Sequence, residues 1–377
     1  MHNSEYIEEN KPFSELQPFK LSPVYLEKIW GGQALKSILD KDIPSTSKIG
    51  ESWEISAEEP YQTKISQGKF KGHKLGDICK MYSTHLLGNS NDITDFPLLF
   101  KFIDANDKLS IQVHPDDLQA IEHKWGVRGK TECWYVVEAP KDGTIIVGLN
   151  KSISKEEMFE AIEKGNFKNL LKEEKIYPDD LLLIPAGTIH SIMSNTLIYE
   201  VQESSDVTLR IYDWDRYDKN GKQRPLQIED ALNVTDTNHY GSFKISPVTL
   251  NYENYSHSYR VACRYFAIEQ YSIYKNVIIK LEPKKSFSAL TIISGSVTLT
   301  NINVSIELKK GESAIIPACC VDSSISASSD SKFLITTVPD LRKEVINPLK
   351  KQGIPIASII QLGGVIPEKN DLLTLVR

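Results

Sequence analysis

From Pro23 to Trp214 the chain is written in short runs rich in Val, Ile, Tyr, Phe and Thr, closed again and again by Gly, Pro, Asn or Asp: "ESWEIS", "PLLFKFID", "LSIQVHP", "TECWYVVEA", "TIIVGLN", "DLLLIPAG", "LIYEVQ" and "VTLRIYDW". Runs this short, punctuated this often, predict a mainly β chain built as a sandwich or barrel. Three stretches break the pattern and read as helical: residues 74–88, 116–125 and 154–173. Ser154 followed by Glu157 forms a capping-box signature at the start of the third. These helices form a small helical region flanking the β core.

A second β-rich segment follows, and it echoes the first. "DDLLLIPAG" (179–187) and "GESAIIPAC" (311–319) each place Pro-Ala at the end of an apolar run that opens on a turn residue. This internal repeat predicts two related barrels in tandem. The first copy continues "PAGTIHSI", with His190, and the second "PACCVDSS", with no histidine. Only the N-terminal barrel then keeps a metal ligand there. The expected division is a polar segment (1–20), a first β domain with helical insertions (21–242), a second β domain (243–340) and a C-terminal extension (341–377).

At 377 residues, with 40% apolar and 25% charged residues, the chain has the make-up of a globular protein with a large core. Its formal charge of -6 is mild and its Lys and Arg form no long blocks, which argues against a nucleic-acid partner. No window approaches the ~20 apolar residues of a membrane span, and the N-terminus lacks the apolar core of a signal peptide, so a cytoplasmic location is expected. Cys79, Cys133, Cys263, Cys319 and Cys320 show no CxxC spacing, so neither a disulfide framework nor a thiolate zinc knot is indicated.

The chemistry concentrates on one strand face. In "LSIQVHPDD" (109–117), Leu109, Ile111 and Val113 alternate with Ser110, Gln112 and His114, so one face is aliphatic and the other chemical. Glu132 in "GKTECWYVV" and His190 in "PAGTIHSIM" fall on other strands of the same domain. Imidazole nitrogen and carboxylate oxygen suit zinc and similar ions, and three protein ligands with an open position suit catalysis. Gln112 offers an amide oxygen as a fourth, neutral ligand. Taken singly, each has a plainer reading: a surface histidine, a solvated carboxylate for Glu132, a surface salt bridge for Arg210. Spacing alone leaves both readings open.

"PVYLEKIWGG", "GESWEIS", "PLLFKFIDANDKLSIQVHPDD", "GKTECWYVVEA", "PAGTIHSI" and "SSDVTLRIYDWDR", in that order over residues 22 to 235, resemble the class I mannose-6-phosphate isomerases of the cupin superfamily, in their shorter bacterial form. The resemblance implies two cupin-type jelly-roll barrels, the first catalytic and the second metal-free. It implies one Zn2+ per chain on Gln112, His114, Glu132 and His190. Arg210 is implied as the catalytic arginine, and Lys101, Ser110 and Lys130 as contacts to the sugar phosphate, with Glu51 lining the same pocket. For residues 341–377 it implies nothing.

The implied reaction interconverts mannose 6-phosphate and fructose 6-phosphate through a cis-enediol, which needs a Lewis acid, a cation beside the developing negative charge and a proton-transferring base. For that base the residues leave Lys130, Glu51 and the aspartates of "YDWD" open. A phosphosugar is the expected partner, and the chain is expected as a monomer or homodimer. Two other readings compete: a non-catalytic sugar-binding or sugar-sensing cupin, which would lack a ligand or Arg210, and an iron oxygenase, which would draw two histidines from an HxH pair where this chain has Gln-Val-His.

Overall fold

The computed structural model describes residues 15–88, 95–218, 220–302 and 304–376. Its first half holds strands β1 (Phe19–Ser22), β2 (Val24–Gly32), β3 (Ile49–Ile55), β4 (Lys64–Ile65), β5 (Leu98–Ala105), β6 (Ile111–Val113), β7 (Glu132–Glu138), β8 (Thr144–Leu149), β9 (Leu171–Lys175), β10 (Leu181–Ile184), β11 (His190–Ile192), β12 (Thr196–Glu203) and β13 (Leu209–Tyr212). The second holds β14 (Val248–Asn251), β15 (Tyr255–Ala262), β16 (Ala267–Ile273), β17 (Val277–Lys280), β18 (Ser288–Ser294), β19 (Ser296–Asn301), β20 (Val304–Lys309), β21 (Ser313–Ile316), β22 (Ser323–Ala327) and β23 (Ser331–Thr337).

In the first half a sheet of order β2-β3-β5-β12-β7-β10 packs on a second of order β13-β6-β11-β8-β9. The other half repeats this order except at one edge: β14-β15-β16-β23-β18-β21 packs on β17-β22-β19-β20, and β13 has no counterpart in the four-stranded sheet. The tandem repeat read from two Pro-Ala turns therefore extends through all of these strands but β13, with β10 and β21, the strands that carry those turns, at matching places. The two large sheets pack against each other through Phe100, Phe102, Tyr135 and Leu183 on one side and Phe287, Ala289, Ile315 and Leu334 on the other. Buried aliphatic residues on both faces of the large sheets account for strands such as "PLLFKFID" that read as nearly continuous apolar runs.

The halves are also interleaved. Strand β1, at the edge of what reads as a polar N-terminal segment, pairs with β21, and β4 extends the same C-terminal sheet. Residues 1–14 of that segment lie outside the described residues. The C-terminal extension folds into short helical turns between Leu341 and Leu375 whose Val345, Leu349, Ile359, Leu362 and Leu372 enter the core between the sheets.

Two of the predicted helices occupy Leu75–Leu87 and Asp117–Glu122, the latter capped by Asp116. The third is shorter than its pattern suggests. It starts at Lys155 behind the Ser154–Glu157 capping box but stops at Glu163, because Gly165 takes φ +69° and turns the chain. Residues 167–170 form a 3-10 turn and 171–175 become β9. All five cysteines are free thiols. Among the described residues no helix is long and apolar enough to cross a membrane.

Candidate metal centre and active site

Strand β6 places the first site residues. Its Ile111 and Val113 pack outward under Met158, Phe167 and Leu232 of the helical layer, which turns Gln112 toward the facing sheet. Gln112 is flanked across the strands by His190 on β11 and Arg210 on β13. The facing sheet contributes a second row, because Glu200 on β12 lies between Trp134 on β7 and Lys101 on β5, with Trp53 on β3 beyond. Glu132, two residues along β7 from Trp134 and on the same face, points at the histidines.

The resulting cluster is buried. His114, Glu132 and His190 bring one ligand atom each to within 4.8 Å of one another. The Nε2 atoms of His190 and His114 lie 3.0 and 3.5 Å from Glu132 Oε1, and the Gln112 amide lies 3.3 and 3.4 Å from the same nitrogens. Each imidazole spends its other nitrogen on a backbone carbonyl: His114 Nδ1 on Val207 at 2.7 Å and His190 Nδ1 on Thr188 at 2.9 Å. Those bonds put the proton on Nδ1 and leave the Nε2 lone pairs facing inward. His114 is kept neutral, pushed down to about 3 by burial and by the Lys130 ammonium against the pull of Glu132. Neither carboxylate oxygen of Glu132 receives a hydrogen bond. Two lone pairs and a carboxylate converging with so little donation are the donor set of a divalent cation, so the residues present fit a metal ion.

Lys130 sits against this cluster, its Nζ 3.2 Å from Glu132 Oε2 and 3.3 Å from His114 Nε2. Burial opposes its charge, but Glu132, Glu200 and Asp206 outweigh burial and hold it as an ammonium. Glu51, Lys101, Ser110, Gln112, Lys130, His190 and Arg210 all line one cleft, and His114 and Glu132 lie buried behind it. Ser110 donates to Gln112 Oε1 at 3.0 Å. Arg210 presents a buried Nε with no hydrogen-bond partner, and burial and neighbouring Arg224 lower its pKa. Glu51 is committed elsewhere: it accepts from Trp53 Nε1 at 2.8 Å and pairs with Lys28 at 3.0 Å. Burial would raise its pKa, but Lys101 and Lys28 bring it to about 2.

The cleft also holds residues that the sequence reading passed over: Lys28, Glu200, Asp206 and Arg224. Glu200 accepts from Trp134 Nε1 at 3.0 Å through one oxygen, while the other, 3.8 Å from Lys101 Nζ, has no hydrogen bond. Burial and the charge of Glu132 push it up to about 7 against Lys130 and Lys101. The signal for it was a single carboxylate inside the apolar run "TLIYEV".

The duplicated topology shows what the second half does with the same positions. Ile184 and Ile316, each just before the repeated proline, pair with Glu132 and Ser288 respectively. Following the register across, Ile335 stands where Glu200 is and Glu269 where Lys101 is. Glu269 is held by His257 at 2.6 Å and paired with Lys284 at 2.5 Å.

Residues 18–135 match the family model for the catalytic domain of phosphomannose isomerase type I, and residues 256–331 match that for the mannose-6-phosphate isomerase cupin domain. The mannose-6-phosphate isomerase ManA of Bacillus subtilis (strain 168) is 34% identical over 310 residues, spanning 80% of this chain and 93% of its own length. The chain belongs to the type I phosphomannose isomerase family. The mannose-6-phosphate isomerase of Streptococcus mutans serotype c is 35% identical over 303 residues, 80% of this chain and 92% of that one. A crystal structure of the mannose 6-phosphate isomerase from Bacillus subtilis aligns with a TM-score of 0.79 at 33% identity, covering 85% of this chain and 99% of that one. The paired sheets are the cupin-type fold of this phosphomannose isomerase family, and residues 341–377 lie beyond both matched family models.

Proposed function

We propose that this phosphomannose isomerase family member interconverts mannose 6-phosphate and fructose 6-phosphate in the cytoplasm, using one zinc ion per chain held by His114, Glu132, His190 and Gln112. The observation that carries this reading is the convergence of two inward imidazole lone pairs and the Glu132 carboxylate at the floor of a cleft that also holds Arg210, Lys101 and Glu200. Gln112 would join the ligand set by turning its amide so that the oxygen faces the histidines. The hydroxyl of Ser110 can follow that turn by accepting where it now donates.

A divalent ion at this position supplies a Lewis acid for the oxygens on C1 and C2 of the open-chain sugar. Lys101 and Ser110 bind the phosphate, and fixing that end holds a flexible substrate so that C1 and C2 stay beside the cluster. Arg210, opposite Gln112, places its guanidinium where the enediol's negative charge develops. Lys130 lines the same cleft as a further contact to the phosphate, and its pairing with Glu132 also balances that carboxylate.

The proton carrier is assigned to Glu200. Glu51 is held as a carboxylate by Lys101 and Lys28, Asp213 is locked by Arg216 and Arg224, and Lys130 is held as an ammonium. Glu200 alone among these has a free oxygen in the cleft and a pKa near neutrality. It takes the proton from C2 and returns it to C1 on the same face. The sugar-binding alternative requires a missing ligand or a missing Arg210, and both are in place.

A coupled assay for fructose 6-phosphate on chelator-stripped protein, before and after zinc, tests the reading. Activity should vanish on stripping and return with the metal. Inactivity in both states, with one ion bound per chain, would leave a metal-bearing sugar-binding protein instead.

A further inference from the structure

The C-terminal extension reaches the turn that precedes His190. Its Lys369 closes the 3-10 turn Pro367–Lys369, and its ammonium donates to the carbonyl of Ala186. The backbone on both sides is fixed: Ile366 is buried among Trp30, Trp134 and Phe243, Asn370 donates to Ile360 and Gly364 carbonyls at 3.0 and 2.9 Å, and Asp371 pairs with Arg264 at 2.5 Å. Lys369 is thus presented to Ala186 by a rigid support.

Ala186 lies in the turn that joins the two histidines. Thr188 N–H donates to Pro185 at 3.1 Å, and Gly187 N–H donates to the carbonyl of His114 at 2.8 Å. The carbonyl of Thr188 accepts from His190 Nδ1 at 2.9 Å. Gly187 takes φ +84°, and a Cβ there would meet Lys369 Nζ at 3.2 Å and the Val234 carbonyl at 3.0 Å, so the lysine packs onto the turn as well as bonding to it. The Gly187 carbonyl in turn accepts from Asp236 N–H at 2.8 Å.

We propose that Lys369 is a positioning residue of the metal site, pinning the Pro185–Thr188 turn so that His114 and His190 keep their facing geometry. The proposal rests on the metal reading given above. Ala186 is buried, so removing the ammonium leaves its carbonyl without that charge-assisted bond. The turn then relaxes through the two bonds it makes, one to the His114 backbone and one to the His190 ring. Partners standing behind metal ligands act on affinity in this way.

The test uses the full-length chain loaded with zinc and the variants Lys369→Met, which keeps the apolar stem, and Lys369→Arg, which keeps the charge. Zinc transfer to a chromogenic chelator and amide exchange at Gly187 are measured alongside kcat and KM. For Lys369→Met, zinc should leave about tenfold faster, the Gly187 amide should exchange faster, and kcat should fall with KM little changed; Lys369→Arg should restore all three. Zinc release and Gly187 exchange at wild-type rates in Lys369→Met would overturn the proposal. Lys369→Gln, neutral and shorter, is read the same way should the Met variant not fold. If the wild-type chain holds no zinc while Gly187 exchange still accelerates, the clamp stands and the metal reading falls.

Discussion

Glu200 shows where residue-level reading of a sequence reaches its limit. His114, Glu132 and His190 were open to a metal reading from their residue types, although spacing alone did not decide it, and Arg210 and Lys101 came with the family's motifs. Glu200 becomes visible only when β12 is laid between β5 and β7, bringing it beside Lys101, 99 positions earlier, and Trp134, 66 earlier. Replacing it isosterically separates a proton carrier from a packing residue. Glu200→Gln keeps the acceptor for Trp134 and should lower kcat by at least about a hundredfold while zinc content stays at the wild-type level. Full activity in this variant would remove Glu200 from the mechanism. Because the carboxylate form is the base and its pKa is raised, kcat/KM should fall as the solution is made acidic. The rise due to Glu132 is offset once a cation binds that carboxylate, so the acid limb belongs at or below about 7. Glu200→Gln should lose that limb in its residual activity.

At the scale of elements, the strands were legible because short, β-branched, glycine-bounded runs have no other stable use. The helix read over 154–173 was legible only at its capped start, because an apolar period continues past Gly165 into a strand whose alternation it mimics. Local pattern also gave no hint of how the segment leading from β6 to Glu132 is tied down. Asp117 accepts from Gly129 N–H at 2.7 Å, and Glu203 from Thr131 N–H at 2.7 Å. Tyr265 of the second half donates to Asp117 at 3.2 Å. Glu203 and Asp117 are themselves hydrogen-bonded, and burial followed by the Asp117 charge pushes Glu203 up to about 8. The folded chain therefore keeps a proton on Glu203 that the unfolded chain gives up near the ordinary glutamate value. That contribution to stability is complete below about 4.5 and is lost as pH rises through about 8. Glu203→Gln supplies a permanent donor to Asp117 and a neutral acceptor to Thr131. Thermal unfolding from pH 5 to 9 should show the wild-type Tm falling relative to the variant, with the variant ahead by ~2 °C or more at the alkaline end. Parallel curves would mean that the two carboxyls do not share a proton.

For the molecule as a whole, the repeat gives two similar halves, and the question is whether each is a folding unit. Their shared order of strands suggests independence, yet three features oppose it. Strands β1 and β4 come from the first half and complete the sheet of the second. The C-terminal turns insert Ile366 into the first half's core and Leu362 into the layer between the sheets. Tyr199 bonds to Thr291 at 2.7 Å across the buried face, and Thr291 to Ser313 at 2.9 Å. Separating the halves would bare the largest apolar cluster in the described residues and break the Tyr199–Thr291 bond, a cost far above the few kcal/mol by which a domain is stable. The halves should unfold together. All five tryptophans precede residue 215, so their fluorescence reports the first half, whereas far-ultraviolet circular dichroism reports both. In urea the two signals of metal-stripped protein should trace one coincident transition, and the fragment 1–242 expressed alone should not yield folded protein. A tryptophan transition well separated from the dichroism curve, or a soluble and cooperatively folding 1–242, would show that duplication left two autonomous units and that the interleaved strands are decoration on them.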